Sequence, residues 1–154
     1  MIPTPQATTA ATAFQPTRFV GLDVSKLSVM VAAADIKPQI VLQPKKISLE
    51  KFQSWATTNL QLCDAVVLEA TGNAWQFYDM LVLVVGQVVV ANPNKIRLIT
   101  QARVKTDAKD AIHLAKLLAA GLIEPVWVPP QSIRDLRALV APSPAANLPT
   151  YSWA

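Results

Sequence analysis

The apolar positions of the chain follow two periods. Over residues 19–24 they alternate: Val20, Leu22 and Val24 take one side, and Phe19, Gly21 and Asp23 the other, as in a strand with one face in a core. Residues 25–27 turn the chain, residues 29–34 return as a second strand and residues 39–42 form a short third, so this part predicts an antiparallel meander. Ser48, with Glu50 and Lys51 behind it, opens a helix that reaches about Asn59. Ala65, Val66, Val67 and Leu68 then run unbroken between Asp64 and Glu69, the pattern of a strand covered on both faces and so central in its sheet. Residues 74–85 read as a helix ending before Gly86, with a strand as the alternative because of their valines. Residues 88–91 form another buried strand, after which Asn92 caps and Pro93 begins a short helix. A helix follows over 107–120, capped by Thr106 and ended by Gly121. Residues 122–130 are extended, and a last helix begins at Ser132 with Ile133, Leu136, Leu139 and Val140 apolar. Three antiparallel strands followed by strand, helix, strand, helix predict an α/β fold, a mixed sheet with flanking helices.

The helix over 107–120 breaks the rule that acids face water. With Asp107 at 0° and 100° per residue, Leu114, Leu118 and Ala111 fall within about 40° of it and Asp110 at about −60°. Lys109 and Lys116 lie on the opposite side. Two aspartates beside the apolar stripe need something to offset their burial. Two further carboxylates stand out by context: Asp23 within the first strand and Glu69 at the carboxyl end of the central one, where ligands of such sheets bind. Taken singly, each has an ordinary structural explanation, such as a complement to a helix dipole, a cap or a partner for a lysine. Gathered in one cleft, the four would repel and hold one another's pKa values up unless a cation joined them, and hard oxygen donors favour Mg²⁺ or Mn²⁺. Two such ions about 4 Å apart would flank a phosphodiester. His113 falls at about −120° on the same wheel and reads as a solvated or partly packed side chain off the acidic face.

Charge adds a second candidate. Residues 1–80 carry six basic side chains (Arg18, Lys26, Lys37, Lys45, Lys46, Lys51) against six acids (Asp23, Asp35, Glu50, Asp64, Glu69, Asp79), so the net charge of +4 arises downstream. Lys95, Arg97, Arg103, Lys105 and Lys109 lie within fifteen positions against Asp107 alone, a field suited to nucleic acid, with plain surface solvation as the alternative. Trp55, Trp75, Phe77 and Tyr78 read as core, with base stacking as the other possibility. One cysteine and one histidine exclude a disulfide framework and a Cys/His zinc site, and Cys63 reads as a small apolar filler in a reducing compartment. Four scattered glycines exclude a Walker loop and a GxGxxG turn. The most apolar run, residues 80–91, is interrupted by Gly86 and Gln87 and falls short of the ~20 residues a bilayer requires, so no membrane partner is expected.

VGLDVSK around Asp23, VVLEATG around Glu69, VVVANPNKIR, KTDAKDAIHLAKLLAAG and VPPQSIRDLRAL together resemble the N-terminal domain of DEDD transposases of the IS110 insertion-sequence group, over about residues 18–140. The KTDxxDA run with ExTG at this spacing is the specific part of the likeness. The resemblance implies a RuvC-type, RNase H-like fold with Asp23, Glu69, Asp107 and Asp110 as an acidic tetrad for Mg²⁺. It also implies cytoplasmic, nucleoid-associated recombination between an insertion sequence and its DNA target, directed by a structured guide RNA within a homo-oligomer. Members of that family continue through a long helical region into a second domain with a serine nucleophile. The expected organisation is therefore a disordered leader over 1–17, a RuvC-like domain over 18–128, the start of a truncated helical region over 129–141 and a Pro-rich tail foreign to the family over 142–154. A truncated transposase is the leading expectation. The alternatives are a non-catalytic remnant that binds nucleic acid or the full-length enzyme, and a standalone nuclease of the same fold.

Overall fold

The computed structural model describes residues 13–100 and 106–141. Its elements run β1 (Arg18–Val24), β2 (Ser28–Ala34), β3 (Ile40–Ser48), α1 (Leu49–Asn59), β4 (Asp64–Glu69), α2 (Ala74–Leu81), β5 (Gln87–Ala91), α3 (Pro93–Thr100), α4 (Asp107–Ala119) and α5 (Gln131–Val140). The strands form one five-stranded sheet in the order β3-β2-β1-β4-β5. β1, β2 and β3 pair antiparallel, while β1 with β4 and β4 with β5 are parallel. This is the expected mixed α/β sheet with helices on its faces, of the RNase H-like type.

The alternation in β1 sorts the two faces. Val20, Leu22, Val29, Val31, Val66 and Leu68 point to one side, where they meet Phe52 and Ala56 of α1 and Phe77 and Leu81 of α2. Trp55, Trp75 and Tyr78 pack on the edge of this cluster, with Phe52 and Phe77 at 5.4 Å between ring centroids. On the other side Val67, Val89 and Ala91 meet Leu114 of α4 and Ile96 of α3. β4 is wholly buried from Asp64 to Leu68, which is why its sequence shows no alternation.

Helix α4 approaches β1 unusually closely. A Cβ placed on Gly21 would lie 2.2 Å from the carbonyl oxygen of Ala111 and 2.7 Å from the amide nitrogen of Ala115, so only glycine fits under this helix. Ala32, the register partner of Gly21 on β2, is also fully buried. The close seat fixes the height of the first turn of α4 above the end of β1.

Three elements differ from the sequence reading. β3 extends over 40–48 rather than 39–42; its pattern is masked because Pro44, Lys45 and Lys46 occupy an exposed edge strand, with register shifts against β2. α2 stops at Leu81 rather than near 85, where a run of β-branched valines gives way to turns. The end of the expected leader belongs to the domain: the Phe14 ring lies against Gly86, and the Thr17 amide donates to the Cys63 carbonyl at 3.0 Å. Residues 1–12 and the tail over 142–154 lie outside the described residues. Caps follow expectation where the chain ends its elements: the Lys109 amide donates to Thr106 Oγ1 at 3.3 Å, the Asn94 amide to Asn92 Oδ1 at 2.9 Å, and Gly121 takes φ +71° after α4.

The base of the sheet carries a buried ion pair. Asp64 is fully buried and accepts two bonds from Arg18, at 2.8 and 2.6 Å, and a third from the Gln61 amide at 2.7 Å. It joins the first residue of β1 to the first of β4 and keeps their parallel register. At the far end of the chain, Arg134 on α5 makes a forked contact to Asp79 on α2, at 2.9 and 2.8 Å. Among the described residues no helix is long and apolar enough to cross a membrane.

Candidate functional site

Parallel pairing sets the first half of the site. Leu22 stands opposite Leu68, so the next residues, Asp23 and Glu69, come side by side at the carboxyl ends of adjacent strands. Both belong to the face of the sheet that α4 covers, since they alternate with Leu22 and Leu68 of the opposite core. α4 supplies the second half from above. Its first turn carries Asp107 and Asp110 as N-terminal acids, where the helix dipole favours negative charge.

The two halves enclose a cleft of about 220 Å³ lined by Asp23, Glu69, Asp110, Arg97 and His113, with Ile96 and Leu114 among the residues at its floor. Asp107 is exposed and does not line the cleft, but its charge acts on Asp23. Burial, then the charges of Asp107, Asp110 and Glu69, push the pKa of Asp23 up to about 6 from an ordinary 3.8. The other three acids therefore all lie close enough to act on Asp23. Their ligand geometry is not closed, because among the described residues no three His, Cys, Asp or Glu side chains are grouped so as to hold a metal ion. The donor set is nonetheless all carboxylate oxygen, the chemistry that suits a hard divalent cation.

Among the described residues, the basic candidates stand differently toward the acidic cleft. Arg97, exposed on α3, lines the acidic cleft. Lys95 is tied to Glu124 in an exposed ion pair. Lys109 is exposed on α4, about half a turn round from Asp107. Arg103 and Lys105 lie outside the described residues.

One expectation requires correction. His113 is exposed, as a solvated side chain should be, but it lines the acidic cleft rather than standing away from it. Its position follows from its neighbour: Asp110 and His113 are three residues apart and so adjacent on the helix surface. Measured from Asp107 its angle is about −120°, but from Asp110 it is only about 60°. Gly21 was a second missed signal: a glycine inside a strand, two residues before the acid and on its face, marks a close backbone approach.

The profile of the IS110 family of DEDD transposases, described as "Transposase", matches residues 20–143. A Sinorhizobium fredii protein named "Putative transposase y4qE" is 28% identical over 131 residues, covering 79% of this chain. The chain spans 33% of the length of that relative.

Proposed function

The chain belongs to the DEDD transposases of the IS110 group, and on that premise we propose that Asp23, Glu69, Asp107 and Asp110 are the carboxylates by which it holds a divalent cation, Mg²⁺ or Mn²⁺, where a DNA strand is cut and joined. One observation carries this reading: Asp23, Glu69 and Asp110 line one cleft, where burial and then the charges of Asp107, Asp110 and Glu69 raise the pKa of Asp23 to about 6. A cation bound among them would neutralise that repulsion and act as a Lewis acid toward a phosphodiester.

The chain's own residues then have distinct tasks. Asp23 and Glu69, fixed on neighbouring strand ends, form the rigid side of the site, and Asp107 and Asp110 close it from α4. Asp23 releases its proton as the site fills, since the state that binds a cation is the carboxylate. Arg97 on the rim offers a bidentate contact to a phosphate of the strand, and Lys95, Arg103, Lys105 and Lys109 are proposed as further nucleic-acid contacts. Family membership supports the remaining features of the whole protein: recombination of an insertion sequence with target DNA, direction by a structured guide RNA, a homo-oligomeric assembly and a place in the cytoplasm.

Calorimetric titration of the full chain with Mn²⁺ at neutral pH tests the reading. The wild-type chain binds, and Asp107→Asn weakens the affinity by about tenfold or more, the effect expected for losing one charged oxygen ligand. Equal affinities would remove Asp107 from the site. Absence of binding by both proteins would favour the non-catalytic alternative, a remnant that only docks on nucleic acid or on the intact enzyme.

A further inference from the structure

His113 is the sole histidine of the chain, and the reading of the cleft as four carboxylates leaves it without a task. It lines that cleft beside Asp23, Glu69 and Asp110. Among the described residues neither of its ring nitrogens has a hydrogen-bond partner. An exposed side chain costs little to turn, so the ring is free to swing toward whatever enters the cleft.

Spacing and charge say what the ring is suited to meet. Asp110 and His113 stand three residues apart on α4, the acid-x-x-histidine interval by which helices of di-metal bundles offer one oxygen and one nitrogen to the same ion. Carboxylates gathered in one place repel, and a further anionic donor would add to that repulsion. A neutral imidazole supplies a lone pair without supplying charge. The place of a fixed cation at the cleft is already taken by Arg97, whose guanidinium does not give up its proton. Nitrogen donors also discriminate between cations: Mg²⁺ keeps oxygen ligands and water, whereas the first-row transition metals accept imidazole together with carboxylate.

We infer, on the reading of the carboxylates as a cation site, that His113 is a nitrogen ligand of the bound cation and turns the preference of the cleft from Mg²⁺ toward Mn²⁺. Asp23, Glu69, Asp107 and Asp110 supply the charge that any divalent cation needs, and His113 decides which of the two is held more tightly.

The test is pulsed electron paramagnetic resonance of Mn²⁺ bound to the full chain, prepared without a histidine tag, at neutral pH. The wild-type chain is expected to show the modulation of a directly bound imidazole nitrogen, and His113→Ala to lack it. With one histidine in the sequence, the signal has a single possible source. Alanine is well tolerated at an exposed helical position, so the variant is expected to fold. Calorimetric titration completes the test: His113→Ala is expected to lower the affinity for Mn²⁺ about tenfold and to leave that for Mg²⁺ within about twofold. Mn²⁺ bound by the wild-type chain with no imidazole modulation, or an equal loss of affinity for both cations in the variant, would overturn the inference and leave the carboxylate site standing. A wild-type chain that binds neither cation would overturn both.

Discussion

Asp23 shows how much a single residue can report about a site. Its pKa of about 6 in the folded chain exceeds the 3.8 of an unperturbed carboxyl, so between those values the folded state binds more protons than the unfolded one. Stability therefore falls as pH rises from about 4 to about 6 in metal-free protein. Allowing for screening by water at this half-exposed position, the cost is on the order of 1–2 kcal/mol. Asp23→Asn is expected to raise the melting temperature at pH 7 in EDTA and to flatten the difference between acid and neutral pH, measured by thermal denaturation across pH 3.5–7.5. Superimposable profiles for the two proteins would show that Asp23 carries no such strain. The four candidate acids stood out in the sequence because strands and amphipathic helices have so regular an apolar pattern that a carboxylate inside it is conspicuous. The place of His113 was less legible, since its partners on the sheet come from residues 44 and 90 positions earlier, a pairing that helix geometry alone does not contain.

Among the elements, the contact of β1 with α4 decides whether the acids meet. A side chain at Gly21 would run into backbone atoms of the helix, which cannot turn aside as a flexible side chain can. Gly21→Ala is expected to destabilise the chain by about 1–3 kcal/mol through overpacking, and to lift the first turn of α4 away from Asp23. The second effect separates this contact from a general loss of stability: in the Ala variant the carboxyl of Asp23, followed by NMR, is expected to titrate closer to 3.8. Gly121→Ala supplies the comparison. There the φ of +71° makes the substitution costly, by about 1 kcal/mol, yet the residue lies at the far end of α4 and the titration of Asp23 is expected to stay put. Most elements were readable from periodicity and caps, including the apolar run of β4 and the Asn92 and Thr106 caps. β3 was readable only at its start, over 39–42: an edge strand has one uncovered side and a proline where no ladder bond is required, so the rest of its pattern resembles a loop.

The whole molecule separates its charges in space more than along the chain. Acids gather at the carboxyl ends of β1 and β4 under α4, while the unpaired lysines of β3 and α1 stand at the other edge of the sheet. Counting charges by stretch finds residues 1–80 balanced, six basic against six acidic, and conceals both arrangements, because folding, not sequence distance, brings the groups together. The Arg18–Asp64 pair was hidden for the same reason: its partners lie 46 residues apart and meet only when β1 and β4 align. What the fold chiefly accomplishes, on this account, is to draw four negative side chains to one place that a divalent cation can occupy. Crystals of the full chain soaked in Mn²⁺ and measured at the manganese absorption edge test that most directly. The account predicts an anomalous peak bounded by oxygens of Asp23, Glu69, Asp107 and Asp110, with Asp107 and Asp110 drawn inward; a saturating soak that yields no peak among these four residues would contradict it.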